Sequence, residues 1–99
     1  MAEIQVVSWR DIPAQVKARQ SGERAARGLD PRFQEAVDAA AMRAGLTDTD
    51  DYLAEWRTSD TKEKEGDPEA VAAAVAAELE ADYPDERLKM LTENWGREL

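Results

Sequence analysis

Residues 4–20 read IQVVSWRDIPAQVKARQ, and their pattern predicts two strands of a sheet. Ile4 to Trp9 is rich in β-branched and aromatic side chains and has apolar residues on both faces, which predicts a strand covered on both sides. Ile12-Pro13 interrupts the pattern, because proline cannot donate to a strand ladder. Ala14 to Gln20 then alternates apolar with polar residues, so we expect a half-buried second strand there.

The segment after these strands contains a turn, an undecided stretch and a helix. Ser21-Gly22 predicts the turn, whereas residues 23–28 leave open whether they are ordered. Asp30 is a suitable N-cap, Pro31 suits the first helical position, and Gly45 ends the helix. Met42 lies on its outer face. The opposite face is apolar and mostly small, and it is predicted to face the core: Phe33, Ala36, Val37, Ala40, Ala41 and Ala44.

Residues 47–66 have a mixed pattern. Thr47 to Asp51 could cap a short helix, yet Tyr52 to Thr58 alternates as a strand does. We favour a third strand, and a helix within residues 50–58 is the alternative. Lys62 to Glu65 is typical of an exposed strand end or a loop, and Gly66 ends it.

Two more helices are predicted in the last third of the chain. Asp67-Pro68-Glu69 repeats the cap-and-proline pattern ahead of a helix over Ala70 to Asp82. A last helix follows Pro84 over Asp85 to Trp95. The predicted buried residues of the first helix are Val71, Val75, Leu79 and Tyr83, and those of the second form a narrow stripe of Leu88, Leu91 and Trp95.

These elements predict an α+β fold. We expect a two-layer domain with a small, mostly antiparallel sheet, in the order strand, strand, helix, strand, helix, and a short C-terminal helix. A chain of 99 residues suffices for a single domain, residues 1–99. Its core should span residues 4–83 and its last helix residues 85–95.

Composition excludes several classes of function. The chain has a net charge of −9 and contains neither cysteine nor histidine, so disulfides, thiolate chemistry and His-dependent catalysis or metal binding are excluded. The charge disfavours nucleic acid as a partner, although residues 10–32 are net +3 and keep phosphate or RNA contact as an alternative. No apolar run approaches the ~20 residues of a membrane span and the start lacks a signal peptide. We expect a cytoplasmic protein with no membrane partner.

No catalytic, cofactor or metal motif stands out, and we expect no catalytic residue, no cofactor and no metal. The five glycines are isolated, so no phosphate-binding loop is formed. Asp48 to Asp51 starts like a calcium loop, but Leu53 and Ser59 occupy the positions of its glycine and glutamate. Carboxylate pairs such as Glu78 and Asp82 are typical of a solvated helix face. The chain is therefore predicted not to be an enzyme.

Three apolar residues are candidates for an interface with a partner. Met42 and Met90 lie off the apolar faces of their helices. Trp95 is either the edge of the core or an interface anchor, since tryptophan is enriched at binding hot spots. A stripe as narrow as that of the last helix should dock weakly on its own domain, which favours the interface.

Four stretches form a recognisable set: Val7–Val16, Arg32–Gly45, Tyr52–Trp56 and Gly66–Val71. In this order they resemble a small bacterial domain family labelled "virulence factor", which also occurs at one end of larger conserved virulence factor proteins. The resemblance implies no active site, cofactor or ligand. It does imply an association with methyl-folate and corrinoid one-carbon metabolism, and hence a methyltransferase-type enzyme as partner.

Two of these stretches carry charged residues beside aromatic ones. Arg10 and Asp11 follow one aromatic residue, and Glu55 and Arg57 flank another. If the stretches pair in the sheet, these four side chains gather at one edge. The cluster would either fix strand register through salt bridges or form a recognition site, so Arg10, Asp11 and Arg57 join the candidate interface.

The leading hypothesis is a non-catalytic accessory or adaptor protein that binds a partner protein. The absence of catalytic groups, the uneven charge and the spare Met42 and Trp95 favour it. The alternative is a small-molecule-binding or enzymatic subunit that uses arginine and carboxylate groups.

Overall fold

The chain, described by a computed structural model over residues 1–46 and 49–98, folds as an α+β domain with an antiparallel sheet. The predicted class, including the sheet and the C-terminal helix, is confirmed. Among the described residues the elements follow in this order: β1 (Ala2–Trp9), β2 (Ile12–Gln20), β3 (Glu23–Gly28), α1 (Pro31–Arg43), α2 (Thr49–Leu53), β4 (Trp56–Thr58), β5 (Lys62–Lys64), α3 (Pro68–Asp82) and α4 (Asp85–Glu93).

The sheet is built around β1. Its strand order is β3-β2-β1-β4, where β4 pairs with the second half of β1 and β5 pairs with the first half. The register aligns Trp9 with Trp56 and Ile4 with Lys62. β1 is only half-covered on one side, because Gln5 and Val7 are half-buried. The expectation that this strand is covered on both sides is therefore met only in part.

The β1–β2 pairing contains a bulge. Val7 pairs with Gln15 and Ser8 with Pro13, which leaves Ala14 without a partner across the ladder. The Ala14 carbonyl instead accepts a hydrogen bond from the Leu29 amide at 3.0 Å. β2 begins at Ile12, two residues earlier than the predicted second strand, and the bulge accommodates Pro13, which cannot donate to the ladder.

Residues 23–28, undecided from sequence, form β3 and pair along β2. The predicted turn at Ser21-Gly22 joins the two strands, with φ values of +49° and +87°. Positive φ at both central residues suits the right-handed twist of a hairpin.

Helix α1 has the predicted caps and buried face. The Asp30 side chain accepts from the Arg32 amide at 3.3 Å. At the other end Gly45 has a φ of +76°, and the Leu46 amide donates to the Ala41 carbonyl at 2.9 Å, which closes the helix. Five of the six residues predicted to face the core are buried, and Ala44 is half-buried.

The prediction of one strand over Tyr52 to Thr58 is wrong for its first half. Tyr52 lies in the short helix α2, and only Trp56–Thr58 form a strand. The Tyr52 ring stacks on Trp9 at 5.8 Å between centroids, and its carbonyl accepts from Trp9 Nε1 at 3.0 Å. These contacts with a buried residue outweigh the local alternation. Thr47, the first residue of the predicted cap, and Asp48, the start of the calcium-loop comparison, lie outside the described residues.

Helix α3 is capped as predicted but buries a different set of residues. The Asp67 side chain accepts from the Ala70 amide at 3.0 Å. Val71 is buried, as predicted, whereas Val75 is only half-buried. Leu79 and Tyr83 are half-buried too, and the other buried residues are Pro68, Ala72 and Ala76. The buried face of α3 is therefore rotated about the helix axis relative to the predicted one, because small alanine side chains allow the helix to lie close to the sheet.

Helix α4 ends at Glu93, two residues earlier than predicted, so Trp95 is not part of it. Leu88 and Leu91 are buried in a cluster with Trp9 and Phe33. The expectation that this helix docks weakly on its own domain is wrong. A second buried cluster lies between the strands and α3, and Leu29 packs against both.

Candidate functional site

The turn between β1 and β2 is the centre of the candidate site. It consists of Arg10 and Asp11, and Arg10 has a φ of +52°, which is rare for a residue other than glycine. The Arg10 amide donates to the Glu55 carbonyl at 3.1 Å, and the Asp11 amide donates to the Gly96 carbonyl at 2.8 Å. The turn is thus fixed by main-chain bonds to two distant segments.

The Arg10 side chain holds these segments together. Its Nη1 donates to the Trp95 carbonyl at 2.7 Å and its Nη2 to Glu55 Oε1 at 3.1 Å. The guanidinium also lies 5.0 Å from the centre of the Trp9 ring. Only 11% of the side chain is exposed, so its charge acts inside the fold.

Asp11 links the turn to a solvent-facing arginine and to the chain end. Its Oδ1 accepts from Arg57 Nη2 at 3.1 Å, and its Oδ2 accepts from the Glu98 amide at 2.7 Å. Arg57 Nη2 also donates to the Arg10 carbonyl at 2.9 Å, while 62% of the Arg57 side chain stays exposed. The four charged residues that the sequence linked do lie together, at the end of β1 where β4 pairs with it.

Trp95 lies in the turn after α4, with its backbone at a φ of +58°. The residue is 51% exposed and belongs to neither buried cluster. Gly96, at +85°, lies so close to Trp9 that a Cβ there would be 2.8 Å from the ring. The main chain on both sides of the Trp95 carbonyl is therefore fixed, although its side chain faces solvent.

Met42 and Met90 are the other apolar candidates, and both are exposed. They lie on α1 and α4, which pack against each other and are joined where Arg43 Nε donates to the Glu93 carbonyl at 3.1 Å. The six candidates thus form one charged cluster beside Trp95 and two methionines on neighbouring helices.

An open groove of about 560 Å³ runs beside Asp11. It is lined by Arg57 and Ser59, by Tyr83, which was predicted only to be buried, and by Glu98, which was not a candidate. Burial raises the pKa of the Tyr83 hydroxyl, and the Arg87 guanidinium, 4.0 Å from the ring, opposes this effect. Arg87 in turn pairs with Glu98. These residues come from three separate segments, so no local pattern could have joined them.

The part of the chain that the structure describes contains no cluster of side chains arranged to bind a metal ion. No group of three or more acidic side chains there lies close enough to hold a metal ion. Glu78, one of the carboxylates considered above, pairs with Lys64 at 3.1 Å on the surface. None of the described helices is long and apolar enough to cross a membrane.

Comparison with known protein families gives a match over most of the chain. A family model described as "Virulence factor" matches residues 7–92, which include Arg10, Asp11, Arg57, Met42 and Met90 but not Trp95. No curated protein and no solved structure matches the chain.

Proposed function

We propose that this chain, which belongs to the virulence factor family, is a non-catalytic accessory or adaptor protein that binds a partner protein through Trp95 and the charged cluster beside it. The family description names a phenotype and no reaction. The proposal therefore depends on the geometry of the site.

The observation that carries the proposal is the conformation of Trp95. Positive φ at a non-glycine residue destabilises the backbone by about 1–2 kcal/mol. Trp95 has this strained conformation and also a large aromatic side chain that is 51% exposed. Strain of this kind is concentrated at functional sites. An aromatic side chain on a fixed main chain loses little entropy on binding, which makes it a suitable anchor.

The neighbours of Trp95 support a protein partner. Arg57 and Asp11 provide an exposed charged pair, which suits the polar rim of an interface. Met90, exposed on α4, is adaptable at interfaces. A methyltransferase-type enzyme is our candidate partner, as the resemblance implies.

The test is co-purification from the native host, with mass spectrometry of the bound proteins. We expect Trp95→Ala to lose the partner that the wild-type protein retains. Leu53→Ala is a matched control, because Leu53 is an apolar residue that is 55% exposed and is not one of the candidate residues. Loss of the partner in both variants, or in neither, contradicts the proposal.

The groove beside Asp11 favours the alternative of a small-molecule-binding or enzymatic subunit, because Arg57, Ser59 and Tyr83 offer several polar groups there. We expect the purified protein to contain no stoichiometric metal, flavin or nucleotide. Elemental analysis and native mass spectrometry check this expectation, and one bound cofactor per chain would favour the alternative.

A further inference from the structure

The outer edge of β3 is open. Its inner edge pairs with β2 from Gln15↔Gly28 to Gln20↔Glu23, and no described strand pairs with the other edge. The strand is six residues long and lacks proline, and all its residues but the half-buried Ala25 are exposed. An open edge of this length offers a row of backbone groups to a further strand.

The hairpin geometry identifies which backbone groups are free. In an antiparallel pair, hydrogen-bonded and non-hydrogen-bonded positions alternate, and the pair that closes a two-residue turn is hydrogen-bonded. The bond from the Leu29 amide to the Ala14 carbonyl fits this alternation at the other end of the ladder. The amides and carbonyls of Arg24, Ala26 and Gly28 therefore point away from β2.

Open grooves lie on both sides of this edge. One, of about 510 Å³, is lined by Lys17, Arg19 and Arg24 on the face opposite α3. The other, of about 540 Å³, lies between β3 and the start of α3, where Arg27 and Pro68 line it together with the acidic residues Glu23, Asp67 and Glu69. Since side chains of a strand alternate between faces, an added strand would place successive side chains in the two grooves.

The charge of the hairpin specifies the occupant. Residues 12–28 carry four cations and one carboxylate, net +3, while the rest of the chain carries −12. Arg19 pairs with Glu3 at 2.8 Å. The side chains of Lys17, Arg24 and Arg27 make no hydrogen bond or ion pair with any residue that the structure describes. Three basic side chains thus surround the open edge without a partner inside the domain.

We infer that β3 binds an extended acidic segment of a partner protein, which adds to the sheet as a further strand. Main-chain bonds to Arg24, Ala26 and Gly28 provide the affinity, and carboxylates facing Lys17 and Arg24 provide the selectivity. A second copy of this chain fits less well, because it would bring two hairpins of net +3 together. This surface is separate from Trp95, so the inference goes beyond the proposed function.

The experiment uses the whole protein and a defined probe. The probe is a capped seven-residue peptide of alternating glutamate and valine, and its control is the same peptide with lysine in place of glutamate. Amide hydrogen exchange by NMR is the readout. Without peptide, the amides of Arg24, Ala26 and Gly28 should exchange fast and those of Ala25 and Arg27 slowly. The glutamate peptide should protect the three fast amides, and the lysine peptide should not.

Two variants separate the main-chain contribution from the charge. Ala26→Pro removes one outward donor but no bond to β2, so it should weaken binding about tenfold or more while the slow amides stay protected. Ala26→Val keeps the donor and should bind as the wild type does. Arg24→Glu should reverse the preference between the two peptides.

Three results would overturn the inference. The first is an absence of added protection with the glutamate peptide, and the second is equal binding by Ala26→Pro. The third is protection of these amides in a dimer without peptide, which would assign the edge to a second copy. Retention of the native partner by Ala26→Pro and its loss by Trp95→Ala would leave the proposed function intact, so the two failures are distinguishable.

Discussion

The Arg10 guanidinium donates to the main-chain carbonyl of Trp95, 85 positions away, at 2.7 Å. This bond connects the first turn of the sheet to the segment after the last helix. Because the Glu55 carboxylate accepts from the same guanidinium, three parts of the chain meet at one cation that is only 11% exposed. The orientation of an exposed aromatic residue thus depends on the hairpin turn.

Arg10→Ala should lower the free energy of unfolding by about 2–3 kcal/mol, because it leaves the Glu55 carboxylate and the Trp95 carbonyl without their donor. Arg57→Ala, which removes an exposed pair, should cost less than about 1 kcal/mol. Urea unfolding of the two variants checks the difference. Similar losses would show that the Arg10 contacts contribute no more than a surface ion pair.

Substitutions at Trp95 separate strain from packing. Trp95→Ala should change the free energy of unfolding by no more than about 0.5 kcal/mol, because the side chain belongs to neither buried cluster, and Met90→Ala should do the same. Trp95→Gly should be about 1 kcal/mol more stable than Trp95→Ala, since glycine adopts positive φ without steric cost. Thermal unfolding measures both effects. A sharp fall in Tm for Trp95→Ala would make Trp95 a core residue.

Two glycines at similar φ values differ in the space around them. Gly45→Ala should cost about 1 kcal/mol, because only the left-handed backbone penalises it and nothing lies within 4 Å of the new Cβ. Gly96→Ala should cost about 2–4 kcal/mol, because its Cβ would meet the Trp9 ring at 2.8 Å. Chemical denaturation of the pair isolates the steric term. Equal costs would mean that the segment after α4 moves away freely.

The burial of three positions on α3 predicts the order in which aspartate substitutions there lower the stability of the domain. Ala72→Asp should cost more than about 3 kcal/mol, because it places a charge where the structure is closed to water. Val75→Asp, at a half-buried position, should cost less, and Ala74→Asp, at an exposed one, within about 0.5 kcal/mol. Circular dichroism during heating gives the order. A greater loss for Val75→Asp than for Ala72→Asp would support the face inferred from sequence.

Short-range chemistry explains what could be predicted from the sequence. Asp30 and Asp67 each precede a proline and start a helix, and both cap it as predicted. Alternation over β2 and the helical period of α1 predicted which residues are buried, since both depend on neighbours within one element. The candidate Arg10–Asp11 cluster was located because two similar aromatic-and-charged stretches suggested strand pairing.

Long-range contacts explain which features could not be predicted from the sequence. Tyr52 is helical because it stacks on Trp9, and residues 23–28 form a strand because β2 offers an edge. In α3, the larger apolar residues were predicted to be buried, whereas a close contact between the helix and the sheet buries Ala72 and Ala76. The Gly96 approach to Trp9 and the Asp11 bond to Glu98 join residues more than 80 positions apart, which no local pattern records.

The central position of β1 has a consequence for synthesis of the chain. One edge of β1 can pair with β2 as soon as the next strand has been synthesised. The other edge stays unpaired until β4 and β5, which end at Lys64, have been made. At about 5–20 residues per second, a ribosome needs about 2–7 s to pass from the end of β3 to the end of β5. Throughout that interval the nascent hairpin presents an open strand containing Ile4 and Val6. β4 and β5, of three residues each, therefore cover this edge late in synthesis, and until then the growing chain is exposed to aggregation there.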